Sequence, residues 1–198
     1  MNILELRDRD PKRFEEEYYK WHEYALDYEW WDYLYSDFKA DCVELGVHVD
    51  DIQFSLGYSQ SDYVAFSGRA YVHDWMEAQG HDKTHLAAYL ACWDDGSYVR
   101  LETSRGGSMR ASLEECANQT APSGVFAGLD QEAWVDLVDE QIGWLNVESE
   151  VLSFCEDLAH TLYRKLRDEY EHLTSQSMFI EHCECNEVEF EDELSHSL

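Results

Sequence analysis

A short C-terminal stretch holds the residues best suited to bind a metal ion. His182, Cys183 and Cys185 lie within four residues of one another, and imidazole and thiolate groups are ligands that zinc prefers. A single C-x-C pair does not have zinc-knuckle spacing, and no C-x-x-C pair accompanies it. His81 and His85 are four residues apart, but His81 precedes the predicted helix. The sequence therefore predicts no metal site and no cofactor.

The motifs of known catalytic centres are missing from the sequence. Serine, histidine and aspartate are frequent, but no G-x-S-x-G motif marks a nucleophile. With 43 acidic residues, some carboxylates will always have a spacing suited to acid–base catalysis, so such pairs carry little information. The chain also has no P-loop and no G-x-G-x-x-G motif. These patterns predict a protein that is not an enzyme.

One pair of glycines is surrounded by arginines. In "RLETSRGGSMR", Arg100, Arg105 and Arg110 flank Gly106 and Gly107, and guanidinium groups around a flexible loop are suited to hold an anion. The alternative is that these arginines form ion pairs with the carboxylates of the same protein. The excess of acidic residues favours the alternative.

Net charge is the dominant property of this chain of 198 residues. It has 43 acidic and 14 basic residues, which gives a net charge of −29, whereas solubility of a small domain requires a charge of only about 2–8. Such a charge repels nucleic acid and anionic membranes and attracts basic surfaces, with a strong dependence on salt. We therefore expect a basic protein partner and no direct contact with nucleic acid or membrane. The alternative is that the charge serves solubility alone.

The sequence also indicates where the protein is found in the cell. No apolar run approaches the length of a transmembrane helix, and the first residues lack the apolar core of a signal peptide. We therefore expect a cytoplasmic protein with reduced thiols. The cysteines expected to be reduced and free of metal are Cys42, Cys92, Cys116, Cys155, Cys183 and Cys185.

Aromatic residues form a long stripe in the N-terminal part of the chain. From Phe14 to Phe38 they recur at intervals of three and four residues, which predicts the buried face of a helix. Asp10-Pro11 is a typical helix start. We expect one long helix, or two nearly collinear helices, over about 11–45. The aromatic residues off this stripe predict a second contact surface, and with it a homodimer: Tyr19, Trp30 and Tyr33.

The stretch "FSLGYSQSDYVAFSG" has the pattern of a β-hairpin. Two runs of alternating apolar and polar residues, at 51–58 and 63–72, are joined by turn residues from Ser59 to Asp62. A third strand is predicted at 97–104, after a short helix at 82–93. Ser112 and Glu115 have the spacing of a capping box and predict a helical turn. Helices are predicted at about 130–145 and 147–173, and a short one from Thr174 to about 183.

These elements predict a single domain of the α+β class. It has a long, aromatic-rich N-terminal helix, a small antiparallel sheet of about three strands, and C-terminal helices. We expect the domain to cover residues 1–180. Residues 181–198 have the composition of an acidic C-terminal tail.

Two segments of the chain resemble a known group of proteins. "DDIQFSLGYSQSDYVAFSG" and "LYRKLRDEYEHLTSQ…NEVEFEDE" are similar to a family of small acidic proteins from bacteriophages and related mobile elements, mostly of unassigned function. The resemblance covers about half of the chain. The hairpin tip of that family is richer in glycine, close to S-Q-G-D-G, where this chain has Ser61 and Tyr63. The resemblance implies an origin in a mobile element, for which counter-defence is a common purpose, and it supplies no catalytic residues.

Two classes of function follow from these patterns. The first is an acidic phage inhibitor that binds a defence protein of the bacterial host, such as a CRISPR effector or a restriction enzyme, at its basic nucleic-acid site as a DNA mimic. The second is a non-catalytic structural or assembly protein that dimerises through its aromatic helix. The residues predicted to bind the partner lie on the helix at 130–145 and in the tail: Glu132, Asp136, Asp139, Glu140, Glu184, Glu187, Glu189, Glu191, Asp192 and Glu193.

Overall fold

A computed structural model describes residues 1–57, 62–81, 96–104, 106–114, 130, 132–133, 136 and 146–191. The elements with described bounds are α1 (Ile3–Arg9), α2 (Pro11–His22), α3 (Asp32–Glu44), β1 (Val47–Ser55), β2 (Tyr63–Tyr71), α4 (Val72–Ala78), β3 (Tyr98–Thr103), β4 (Met109–Glu114), α5 (Val147–Leu173) and α6 (Gln176–Cys185). The predicted α+β class is confirmed. The predicted helix at 82–93 and the loop around Pro122 lie outside the described residues.

Among the described residues, the sheet has four antiparallel strands in the order β1-β2-β3-β4, one more than the predicted number. The strand missed from the sequence is β4. Along this strand, the polar residues Arg110, Ser112 and Glu114 alternate with apolar residues. A period of two is typical of a half-buried strand. The predicted helical turn at Ser112 is therefore wrong, because Ser112 pairs with Arg100 of β3 instead.

The first strand begins at Val47, four residues before its predicted start. A β-bulge lets residues 47–49 continue the strand although the alternation of apolar and polar residues is interrupted after them. Apolar residues at 47, 49, 52 and 54 break the period of two, and the register with β2 shifts between Val49 and Asp51. Gly68 of β2 lies opposite the bulge, and a Cβ atom there would stand 2.1 Å from the carbonyl oxygen of His48. The bulge therefore requires glycine on the neighbouring strand.

Of the two alternatives predicted for residues 11–45, the structure has two helices, α2 and α3, separated by residues 23–31. In this segment the backbone N–H of Tyr24 donates to the carbonyl oxygen of Trp21, and the N–H of Trp30 donates to Tyr28. Such short-range bonds replace the i to i−4 bonds of an α-helix. The aromatic stripe is therefore continuous in sequence but not in one helix.

The contacts of the chain divide it into two compact units. Unit 1 contains residues 1–32 and 165–198, and unit 2 contains residues 33–164, so the division falls within α5. The predicted end of the domain at residue 180 falls inside α6. Whether residues 1–180 form one domain stays a prediction.

Unit 2 has its core on one face of the sheet. The ring of Phe38 on α3 lies 5.5 Å from the ring of Phe66 on β2, and Tyr35 packs edge-on against Phe54. Cys155 of α5 is fully buried in this unit. The side chain of Glu148 on α5 accepts a hydrogen bond of 2.6 Å from the backbone N–H of Leu113 on β4, which is the last strand of the sheet among the described residues.

Unit 1 has a separate aromatic core. Phe179 of α6 lies 5.6 Å from Phe14 and 5.4 Å from Trp21, both on α2. The first residues of the predicted tail belong to this unit, because the backbone groups of Met1 and Phe190 exchange hydrogen bonds of 2.8 and 2.9 Å. Residues 186–191 are therefore held against the start of the chain. None of the described helices is long and apolar enough to cross a membrane.

Candidate functional site

The predicted acidic stripe at 130–145 is described at two of its four positions. Glu132 and Asp136 are helical and exposed. Asp130 accepts a hydrogen bond of 2.9 Å from the backbone N–H of Ala133, which is the bond of an N-cap residue. The helix start therefore agrees with the prediction. Asp139 and Glu140 lie outside the described residues.

The acidic residues predicted in the tail are exposed where the structure describes them. Glu184 lies on α6, and Glu187, Glu189 and Glu191 follow that helix. The structure brings three of them together, because Glu184, Glu187 and Glu189 line a concavity of about 530 Å³. Asn2 and Leu4 line its other side. Asp192 and Glu193 lie outside the described residues.

The backbone at the end of α6 is strained at Glu187. Its φ of 51° is left-handed, a conformation that favours glycine. The N–H of Val188 donates to the carbonyl oxygen of Cys183, and the N–H of Glu187 donates to Glu184. These are the two bonds of a Schellman motif. The motif fixes the direction in which the chain leaves α6.

The cysteines near this end of the chain lie in different environments. Cys183 is buried in the core of unit 1, and burial raises the pKa of its thiol, whereas Cys185 is exposed. In unit 2, burial also raises the pKa of the Cys155 thiol, as does the nearby Cys42. Within the described part of the chain, no group of three or more His, Cys, Asp or Glu residues could hold a metal ion. Cys92 and Cys116 lie outside it.

A further acidic surface, not predicted from the sequence, lies on α3. Asp37, Asp41 and Glu44 are exposed and recur at intervals of four and three residues. Residues at these intervals have Cβ atoms about 5–6 Å apart on one helix face. Neither Asp37 nor Glu44 has an ion pair among the described residues. The signal in the sequence is the spacing itself, which the aromatic stripe beside it obscures.

The first half of α5 adds further acidic side chains to unit 2. No lysine or arginine occurs between Val147 and Tyr163. The first turn of the helix carries two of the carboxylates, where the positive end of the helix dipole stabilises them. All four acidic residues of this half are exposed: Glu148, Glu150, Glu156 and Asp157.

Three arginines of unit 2 lie on the sheet: Arg69, Arg100 and Arg110. Arg69 of β2 and Arg100 of β3 are directly opposite one another in the register. Arg100 forms a 3.1 Å ion pair with Glu114, while the guanidinium of Arg69 lies 5.8 Å from the ring centroid of Tyr98. The predicted pairing of an arginine with the protein's own carboxylate is thus observed for Arg100. Arg105 lies outside the described residues.

The acidic excess is spread over both units. Unit 1 has 20 acidic and 7 basic residues, and unit 2 has 23 acidic and 7 basic residues. The charge therefore does not depend on the tail. In unit 2, α3 and the first half of α5 carry exposed carboxylates, whereas one face of the sheet carries both signs: Arg69, Arg100 and Arg110 with Glu102 and Glu114.

One comparison with known proteins gives a match. A model of a domain of unknown function, DUF8835, matches residues 30–176. No curated protein and no solved structure matches the chain. The matched range contains the acidic face of α3, the whole sheet and α5. It excludes the predicted partner-binding residues from Glu184 onward.

Proposed function

We propose a function from the surface of the protein itself, because the chain belongs to the family DUF8835, which is defined as a domain of unknown function. The protein is an acidic inhibitor that binds a basic, nucleic-acid-binding protein at the site meant for nucleic acid. The observation that carries this proposal is the acidic face of α3, defined by Asp37, Asp41 and Glu44, together with the acidic first half of α5. Both lie within the matched range.

The physical basis of the proposal is substitution of carboxylates for phosphates. A basic cleft attracts whichever polyanion offers closely spaced negative charges, and long-range attraction raises the rate of encounter. Carboxylates on a helix face are held at fixed intervals, so little conformational freedom is lost on binding. A helix surface with several exposed carboxylates therefore competes with a nucleic-acid backbone for the same arginines and lysines.

The biological setting belongs to the same proposal. The resemblance of the hairpin and the C-terminal helix to acidic proteins of bacteriophages supports a role in counter-defence. The target is then a defence protein in the cytoplasm of the bacterial host, such as a CRISPR effector or a restriction enzyme. Direct binding to nucleic acid is not expected, because a charge of −29 repels it.

A competition experiment tests the proposed function. Proteins captured from a bacterial lysate at low salt are identified, and the partner is then titrated with DNA or RNA in the presence of this protein. We expect mutual displacement, and binding that weakens steeply as salt rises, because both surfaces are charged and exposed. Simultaneous binding of the protein and the nucleic acid to one partner would refute substitution at the nucleic-acid site.

A second candidate function is assembly through tyrosines. Tyr19, Tyr24 and Tyr28 are 65%, 60% and 56% exposed. Tyrosine is enriched at the surfaces through which proteins bind one another. Their exposure favours the interpretation that this surface contacts a second copy. Light scattering at high micromolar concentration is then expected to show a homodimer, and a monomer of 23.2 kDa would count against assembly.

A further inference from the structure

A cleft in unit 2 is distinct from the acidic face of α3. Its volume is about 350 Å³, and it lies between the start of β2, the turn that joins β3 to β4, and α5. The side chains that give it chemical character are Asp62, Tyr63, Ser108, Glu156, His160 and Tyr163. All of them lie within the range matched by the family model.

The walls of the cleft are held in place by local contacts. Tyr63 packs so closely on Gly107 that a Cβ atom there would stand 2.2 Å from its ring, and Gly107 has a left-handed φ of 82°. Asp62 accepts a hydrogen bond of 2.7 Å from the backbone N–H of Gly57, which closes the base of the hairpin. These contacts fix the positions of Asp62 and Tyr63 in the wall of the cleft.

The side chains around the cleft are suited to a cation. Glu156 and His160 are one helical turn apart on α5, and Glu156 has no ion pair among the described residues. Tyr63 and Tyr163 supply aromatic rings, which attract cations over their faces. None of the described residues that line the cleft is an arginine or a lysine. An anion in the cleft would meet two carboxylates and, among the described residues that line it, no arginine or lysine.

We propose that this cleft receives an arginine side chain of the basic partner, an inference that rests on the proposed function. The volume is near the lower end of ligand pockets, which suits one side chain rather than a larger ligand. A planar guanidinium can donate two hydrogen bonds to a carboxylate such as Glu156 and stack on a tyrosine at the same time. Lysine offers a point charge without the planar group, so arginine is the better fit.

The probes that test this site are N-acetyl-arginine methylamide and its uncharged counterpart N-acetyl-citrulline methylamide. Each is titrated at low salt into the full-length, ¹⁵N-labelled protein. We expect saturable shifts of the amide signals of Tyr63, Gly107 and Ser108 with arginine, and none with citrulline. The lysine derivative is expected to bind more weakly than arginine.

Two variants localise the binding. Glu156→Gln is expected to weaken arginine binding about tenfold, since one charge-assisted bond is lost. Glu169→Gln changes the net charge equally on the same helix but lies outside the cleft and outside the acidic first half of α5, so the affinity is expected to stay within about twofold. Equal losses in the two variants, or shifts spread over the acidic helices without saturation, would show general attraction of a cation and overturn the proposal.

The outcomes separate this inference from the proposed function. If arginine does not bind in the cleft while the protein still displaces nucleic acid from its partner, the inference about the cleft is wrong and the proposed function stands. If arginine binds in the cleft while nucleic acid and protein bind the partner together, the proposed function is wrong and the cleft is a separate arginine site.

Discussion

Replacement of Gly46 by alanine is expected to lower the free energy of unfolding of unit 2 by about 3 kcal/mol or more. Gly46 has a left-handed φ of 76°, and a Cβ atom there would stand 2.4 Å from the backbone nitrogen of Trp75 and 2.6 Å from the carbonyl carbon of Asp74. Backbone atoms cannot rotate away as a side chain can. The carbonyl oxygen of Gly46 also accepts a hydrogen bond from Tyr71, so a shift of the chain would cost that bond too.

A matched control separates steric conflict from backbone strain. Gly80 also has a left-handed φ, of 70°, but a Cβ atom added there would have no atom within 4 Å. Gly80→Ala should therefore cost only the left-handed conformation, about 1–2 kcal/mol. Urea denaturation followed by tryptophan fluorescence measures both variants. Equal losses of stability would show that close packing of Gly46 against α4 is not what requires glycine.

Reversal of the acidic face of α3 is expected to have the largest effect on binding. The triple variant Asp37→Lys, Asp41→Lys and Glu44→Lys replaces three attractions with three repulsions, each worth up to about 1 kcal/mol at a surface. Affinity for the basic partner should then fall about 100-fold or more at low salt. The three side chains are exposed, so circular dichroism and the unfolding transition should change little.

A second triple variant tests whether position or total charge matters. Glu15→Lys, Glu23→Lys and Asp27→Lys makes the same change in net charge at three exposed residues of unit 1, outside the matched range 30–176. We expect a loss of affinity of less than about tenfold, mainly through slower association. If the two triple variants lose affinity equally, the partner responds to net charge and the acidic face of α3 is not its binding surface.

Elements with a strong local pattern are predictable from the sequence. The helix predicted at 147–173 has the bounds observed for α5, because its apolar stripe is uninterrupted and Val151, Leu162 and Leu166 are all fully buried. The hairpin is predictable for a similar reason. The bulge in β1 is not, because a shift of register depends on the neighbouring strand as much as on the strand itself.

The division of the aromatic stripe between two cores could not be read from the sequence. Phe14 and Trp21 belong to the core of unit 1, whereas Phe38 and Cys42 are buried in unit 2. Helical spacing is preserved across residues 23–31, although the hydrogen bonds of the helix are not. Periodicity reports which side of a segment is apolar, and it does not report whether one helix continues through it.

The candidate site is only partly predictable, for a physical reason. With 43 acidic residues, many sets of carboxylates have helical spacing, and only the packing of each helix decides which set is exposed. Glu132 and Asp136 are exposed, as their spacing predicts. The acidic face of α3 escapes prediction because the aromatic side dominates the pattern of that segment. The tyrosines of the cleft meet Glu156 only through the fold.

The bond between Glu148 and the N–H of Leu113 bears on how the protein behaves at high concentration. An edge strand with unsatisfied N–H groups is a template on which strands of other molecules can add, and the product of such addition is a fibril or an amorphous precipitate. A carboxylate that occupies one of these N–H groups blocks strand addition at that point and places a negative charge where an incoming strand would lie. Since β4 is the last strand of the sheet among the described residues, we expect the colloidal stability of this protein to depend on this hydrogen bond as well as on its total charge.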